Sequence, residues 1–176
     1  MSLPAPIAVA LDTADLPTAA GWARAVAPYV STVKVGLELF YRYGSAAVEQ
    51  TRGDIDVRLF LDLKLHDIPN TVAGAARAVA QLRPDYLTVH AGAGVAAVTA
   101  AAEALPDCMI AGVTVLTSLS ERDIAQIGLA GPSVEAARRL GALAVGAGAR
   151  ALICSPQEVA AVRAEVGPGV VLITPG

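Results

Sequence analysis

The residues of this chain most able to do chemistry stand close together in LFLDLKLHDIPNTV, positions 59–72. Three apolar residues lead into Asp62, Lys64, His66 and Asp67. Residues two apart on a strand share a face. Asp62 and Lys64 are therefore predicted to point together, with Leu63 and Leu65 on the other side. Asp67 lies beyond the strand, where a loop turns toward the next helix. A further charge sits in TVKVG, where Lys34 is flanked by valines. A lysine there does not easily reach water and needs an ionic partner. Asp12, just after the first strand, is the candidate. The expected result is a cluster of Asp12, Lys34, Asp62, Lys64 and Asp67 around a concave mouth. Flanking carboxylates keep a lysine protonated, and flanking lysines keep a carboxylate ionised. Such an array can donate a proton from lysine while presenting fixed negative charge to a substrate. It works by preorganised electrostatics and needs no cofactor.

Plainer structural readings of single residues stand beside this one. Asp67 would serve as the cap of a helix beginning near Asn70. Lys34 with Asp12 would be a buried structural pair. His66 is read as structural. His90, at a strand end, is either part of a site wall or a satisfied core histidine. Thr117, in VLTSLSERD, would be the polar entry to a helix whose N-cap falls on Ser118 or Ser120, with Glu121 completing a capping box from Ser118. The site reading is preferred because the residues fall together on one face.

Positioning these side chains requires an alternation of strands and helices. Short β-branched runs suggest strands near 7–11, 31–36, 57–62, 85–90, 109–116, 151–155 and 170–174. Ala-rich helical patterns fill about 15–27, 37–51, 71–82, 94–104, 119–145 and 156–165. Strands apolar on both faces and separated by helices signal a parallel sheet covered by helices. The pattern fits a barrel or an open doubly wound sheet. No G-x-G-x-x-G follows the first strand, which lowers the dinucleotide-binding version. Polar residues recur at the C-terminal ends of the strands: Asp12, Asp62 with Lys64, His90, Thr117, Ser155 and Thr174. Barrels carry their chemistry on that face from many strands, whereas open sheets use only the switch point. The expected fold class is therefore α/β, a (β/α)8 TIM barrel. The count gives seven strands, one short of closure.

Composition narrows the class of partner. The 176 residues are 55% hydrophobic, enough for one domain with a core. A net charge of −3 and 4% aromatics argue against nucleic acid, which asks for a basic face and stacking platforms. No apolar run approaches the roughly 18 residues of a membrane span, and MSLPAPIAVALD lacks the basic n-region and long apolar stretch of a signal peptide. Cys108 and Cys154 sit inside apolar runs and read as reduced core residues of a cytoplasmic protein. Two histidines with no CxxC or HExxH give a metal site no support.

DLKLHDIPNT resembles the signature of the orotidine 5'-phosphate decarboxylase family, whose enzymes make UMP in pyrimidine biosynthesis. The likeness continues, in the same order, through ALD (10–12), VKVGLELF (33–40), TVHA (88–91), GVTVLTSL (112–119) and ITPG (173–176). D-x-K-x-x-D alone is shared with a wider group of phosphosugar enzymes; Lys34 and the HDIPNT extension point to the decarboxylase. The resemblance implies cofactor-free conversion of orotidine 5'-phosphate to UMP. It implies Lys64 as proton donor to C6 of the pyrimidine, with Asp62 against the substrate carboxylate and holding Lys64. It places Asp12 and Lys34 on the ribose hydroxyls, Thr117 on the pyrimidine edge and Pro175 among the substrate-binding residues. It implies a homodimer in which Asp67, Ile68 and Thr71 reach across the interface, Asp67 to extend the charge network and Thr71 toward the ribose.

In that family the TPG block is followed by a mobile loop, an eighth strand and a Gly-Arg pair that grips phosphate. The sequence here stops at Gly176. Residues 1–176 are accordingly expected to form a single barrel domain that is C-terminally incomplete, without the last strand and the phosphate loop. Two other functions fit parts of the pattern. One is a metal-dependent phosphosugar lyase or decarboxylase, whose relatives place an acidic metal ligand near the end of strand two; here VKVG occupies that region and Glu38 follows. The other is a non-catalytic nucleotide-binding barrel.

Overall fold

The computed structural model describes residues 4–176. Its strands are β1 (Ala5–Ala10), β2 (Val30–Gly36), β3 (Arg58–Leu65), β4 (Tyr86–His90), β5 (Met109–Val113), β6 (Ala151–Ile153) and β7 (Val171–Ile173). Between them lie α1 (Leu16–Val26), α2 (Leu37–Tyr43), α3 (Ser45–Arg52), α4 (Pro69–Val79), α5 (Val95–Ala104), α6 (Glu121–Gln126), α7 (Ser133–Gly146) and α8 (Val159–Val166). The strand order in the sheet is that of the chain. The pairs β1–β2, β2–β3, β5–β6 and β6–β7 are parallel. Parallel neighbours need a crossover, and the helices supply it. The fold is α/β with all seven expected strands in place.

The described chain divides into two compact units. One joins the segment ending at Leu63 to Arg77–Leu87. Its core is built from fully buried Val33 and Val35 of β2 and Leu59 and Leu61 of β3, with Leu11 and Leu39. Helix α1 buries Leu16, Ala19, Ala20 and Ala23, the i, i+3, i+4, i+7 stripe of an amphipathic helix. Asp15 caps it, accepting from the Thr18 N–H at 2.9 Å, and the Thr18 side chain, followed by that N–H, holds the Asp15 carboxyl below the ordinary carboxylate range. The side chain of Asp85 accepts from the Leu59 N–H at 2.7 Å and ties the start of β3 to the turn before β4. Strand β1 is less covered than its apolar sequence suggests: Ile7 is exposed. The helix expected over 37–51 is two helices. Gly44 sits between them at φ 58, a left-handed conformation that glycine reaches without a steric cost.

The other unit joins Lys64–Ala76 to Thr88–Gly176. Helix α7 lies against β5 and β6, and close approach is made possible by glycine. A Cβ added at Gly112 of β5 would stand 2.6 Å from the Ala144 Cβ of α7 and 3.1 Å from Leu152 Cδ2 of β6. Arg138 of α7 holds α8 by bonding Glu165 at 2.7 Å while also bonding Glu135 at 3.0 Å. The helix expected over 119–145 is also two. The break at 127–132 contains Gly128 (φ 83) and Gly131 (φ 82), and Pro132 caps α7. Ser120 is the N-cap of α6, one of the two expected positions, but its reciprocal partner is Asp123 rather than Glu121. Glu121 instead accepts from the Ser133 N–H at the start of α7, through both oxygens. The strand expected to run to Leu116 ends at Val113.

A second capping box follows β6. Ser155 accepts from the Gln157 N–H, and Glu158 accepts from the Ser155 N–H at 2.9 Å. Glu158 is buried. Burial pushes its carboxyl up, the Ser155 N–H pulls it down, and nearby Glu121 pushes it up again. Cys108 and Cys154 are buried free thiols. Burial, helped by Glu158 and opposed by Arg163, raises the Cys154 thiol to about 11. Among the described residues no helix is long and apolar enough to cross a membrane.

Two expectations follow for stability. Gly112→Ala should cost about 1–3 kcal/mol, because the new methyl overlaps Ala144 and the packed helix cannot retreat freely. Gly21→Ala, in mid-α1 with open space around it, should instead gain about 0.5–1 kcal/mol. Denaturant unfolding of both variants checks the contrast. For Glu158 the sign comes from proton counting. A carboxyl raised on folding binds more protons folded than unfolded, so its contribution to stability falls as pH rises through the raised value. Glu158→Gln keeps the cap and removes the charge. Its stability relative to wild type should increase from about pH 4 to about pH 7, read as the difference between the two thermal midpoints. No change in that difference with pH would show that the buried carboxyl is not raised.

Candidate active site

Within the first unit an ammonium is held between two carboxylates. The backbone pairing puts Lys34 of β2 beside Ala10 of β1 and Phe60 of β3. Asp12 follows β1 directly, with the Leu11 N–H donating to the Lys34 carbonyl at 3.0 Å. Lys34 Nζ lies 3.3 Å from Asp12 Oδ1 and 3.4 Å from Asp62 Oδ2. The expected Asp12–Lys34 pair is present, and Asp62 completes it from the other side. The two legs are unequal. The Asp62 side chain is 13% exposed and the Asp12 side chain 62%, so solvent screens the Asp12 leg far more.

Gly36 makes this arrangement possible and was overlooked as a site residue. It stands opposite Asp62 in the register of β2 and β3. A Cβ there would lie 3.0 Å from Asp12 Oδ1 and 3.4 Å from Lys34 Nζ. The signal was the glycine of VKVG, two residues after the lysine and so on its face of the strand.

The second unit, described by itself, begins with Lys64 and the loop that follows. Lys64 has φ 47, and among the described residues only Arg83 is another non-glycine residue with positive φ. The left-handed region costs a non-glycine residue about 1–2 kcal/mol. The Lys64 N–H donates to Thr88 Oγ1 at 2.8 Å. Regular alternation through DLKL, on which the shared face of Asp62 and Lys64 was predicted, is therefore broken at the lysine itself. Thr88 was overlooked as well, since threonine is common in strands.

Beyond the strand, Asp67 is exposed and its Oδ1 accepts from the Ile68 N–H at 2.6 Å. The Ile68 carbonyl accepts from the Val72 N–H at 3.1 Å, so the first turn of α4 is capped at Ile68. Pro69 opens α4, and Asp67 lies two residues before it. Ile68 is 65% exposed, and Thr71 is exposed on the same first turn. His66 stacks on His90, ring centroids 5.0 Å apart. Gly92 lies close by; a Cβ there would be 3.8 Å from His66 Cε1. Thr117 is exposed in the loop between β5 and α6, and Pro175 is exposed after β7. Glu38, the acidic residue weighed for a metal, is exposed in the first turn of α2. Among the described residues no group of three or more His, Cys, Asp or Glu side chains could hold a metal ion.

The strained lysine reverses an ordinary stability order. Alanine is normally the better backbone residue, but at positive φ glycine is favoured. Lys64→Gly should be more stable than Lys64→Ala by about 1 kcal/mol, measured by urea unfolding of both. The opposite order would mean that position 64 is not held in the left-handed region.

A family model described as orotidine 5'-phosphate decarboxylase / HUMPS family matches residues 5–176. A protein of Thermobifida fusca (strain YX) named orotidine 5'-phosphate decarboxylase is 66% identical over 172 residues, covering 98% of this chain and 74% of its own length. A protein of the same name from Frankia casuarinae is 54% identical over 189 residues, covering 98% of this chain and 69% of its own length. Among solved structures, orotidine 5'-phosphate decarboxylase from Lactobacillus acidophilus is 32% identical with a TM-score of 0.84, covering 97% of this chain and 80% of that one. An uncharacterized conserved protein from Geobacillus kaustophilus gives a TM-score of 0.89 at 34% identity, covering 96% of this chain and 82% of that one. On the family match over nearly its whole length and on these identities, the chain belongs to the orotidine 5'-phosphate decarboxylase / HUMPS family.

Proposed function

We propose that the chain is a carboxy-lyase that converts orotidine 5'-phosphate to UMP in pyrimidine biosynthesis, with Lys64 as the proton donor. The reaction rests on the 66% identity to a relative named for it. One observation supports the choice of lysine. Lys64 is held in a backbone conformation that costs a non-glycine residue energy, and such strain clusters at sites where it serves a reaction.

The chemistry needs few parts. The C6–carboxylate bond breaks, carbon dioxide leaves, and the electron pair stays on C6 of the pyrimidine. That carbanion has no conventional electron sink. An ammonium beside it stabilises the developing charge and then supplies the proton that completes UMP. Water afterwards returns a proton to the Lys64 amine. No cofactor enters this sequence. Asp62 is assigned to the substrate carboxylate and to the holding of Lys64; Asp67 extends the charge network. Lys34, fixed by Asp12 and Asp62, is assigned with Asp12 to the ribose hydroxyls. The exposure of Asp12 leaves its carboxylate accessible for that role. Thr117 would read the pyrimidine edge and Pro175 would contribute to substrate binding.

The finer architecture belongs to the same proposal. The strands β1 to β7 are read as seven strands of a (β/α)8 barrel, with residues 1–176 forming one barrel domain of a cytoplasmic homodimer. Asp67, Ile68 and Thr71 are assigned to the neighbouring subunit's site. All three are exposed at the start of α4, as residues that reach across an interface must be in a lone chain.

The test follows the ultraviolet absorbance of orotidine 5'-phosphate with the purified protein, with and without EDTA. Loss of substrate, unchanged by chelator, is expected. Activity abolished by EDTA would overturn the cofactor-free mechanism in favour of metal-assisted phosphosugar chemistry. Lys64→Ala should lower kcat by about 10²–10⁴. For the shared site, Lys64→Ala and Asp67→Ala proteins, each inactive alone, should regain part of the activity when mixed. Mixed dimers that form yet stay inactive would refute the assignment of Asp67 across the interface.

A further inference from the structure

We infer that the Thr88 hydroxyl is a positioning device for Lys64, acting on the backbone of the lysine rather than on the substrate. The inference rests on Lys64 being the proton donor proposed above. Thr88 lies in the middle of β4, fully buried between Leu87 and Val89, which are also fully buried. A β-branched residue is expected in such a strand, and valine would fill the same volume with no polar atom to satisfy. The hydroxyl therefore asks for an explanation. Its Oγ1 accepts from the Lys64 N–H at 2.8 Å, a short bond for a neutral pair.

The backbone explains why that acceptor is needed. Strand residues offer their N–H groups to ladder carbonyls only while φ and ψ stay extended. Lys64, at φ 47, leaves that geometry within β3. A half-buried N–H without an acceptor destabilises whatever conformation exposes it. Thr88 accepts this N–H, so the left-handed conformation of Lys64 is the one that keeps its hydrogen bond. Fixing φ and ψ at Lys64 fixes the direction in which its Cα–Cβ bond leaves the chain. The ammonium is four carbons further on, so a small backbone change moves the proton donor by an ångström or more. Misplacement on that scale costs as much as 10²-fold in rate.

The experiment measures kcat and KM for orotidine 5'-phosphate in the full-length enzyme and in Thr88→Val, Thr88→Ser and Thr88→Ala. Thr88→Val keeps volume and strand preference but cannot accept. It should lose about 10–100-fold in kcat with KM changed less than about threefold, because the displaced group acts in the chemical step. Thr88→Ser restores the acceptor and should recover most of that loss. Should Thr88→Val fail to fold, Thr88→Ser against Thr88→Ala decides the same question, since they differ by the one hydroxyl. Wild-type kcat in Thr88→Val would overturn the inference. So would equal losses in Thr88→Ser and Thr88→Ala, or a loss confined to KM. Lys64→Ala is assayed alongside. If it stays active, the proton-donor reading fails and this inference with it. If it is inactive while Thr88→Val behaves as wild type, only the positioning role fails.

Discussion

Lys34 is the constraint around which the β1–β2–β3 end of the sheet is arranged. Its neighbours in sequence, Val33 and Val35, are fully buried, and its own side chain is 18% exposed. An ammonium so placed loses much of its hydration and must recover it from fixed groups. Asp12 and Asp62 supply two carboxylates at 3.3 and 3.4 Å. Each of these can reach the lysine only because β1 and β3 flank β2 in parallel register, so that strand ends fall together. At Gly36 an added Cβ would stand 3.0 Å from Asp12 Oδ1, a tight contact that the glycine avoids. Burial of one charge thereby dictates the types of three other residues. The same array that makes the fold tolerable leaves a fixed set of donors and acceptors beside an exposed carboxylate. Charged groups fixed in this way need little reorganisation to meet a further charge or dipole.

What could be read from sequence divides along physical lines. The seven strands were legible because buried parallel strands are continuous apolar runs, and that signal survives errors at the ends. The Asp12–Lys34 pair was legible because a lysine among valines has few ways to be satisfied. The helix break at Gly44 was not, since the apolar period continues past a single glycine, whereas the break at 127–132 was signalled locally by Gly128, Gly131 and Pro132 and was passed over. Glu121 was misassigned for a similar reason. Its three-residue spacing from Ser118 suggested a local box, while its real partner, Ser133, lies twelve residues away across a loop.

The conformation of Lys64 lay beyond sequence reasoning altogether. D-L-K-L reads as regular alternation, and no residue type there announces a left-handed backbone. Glycine would have done so, but glycine carries no ammonium. A site that needs both the conformation and the charge must place a strained lysine and support it from elsewhere. The support comes from a side chain on another strand, so its only trace in sequence is a threonine where valine would do.

This division also answers why a strand that begins as core ends in charges. Leu59, Phe60 and Leu61 are buried, whereas Asp62 to Leu65 are half-buried. The apolar half anchors β3, and Asp85 fixes its first residues through the Leu59 N–H. Beyond the apolar half come the costly features of the strand: a carboxylate turned onto Lys34, and then a lysine out of extended geometry. Were the anchoring half weaker, the cheaper response to strain at Lys64 would be for the strand end to slip back into ordinary extension. The buried leucines pack the apolar half of β3, and the Lys64 N–H keeps an acceptor in Thr88 Oγ1 at 2.8 Å although its backbone has left the extended region.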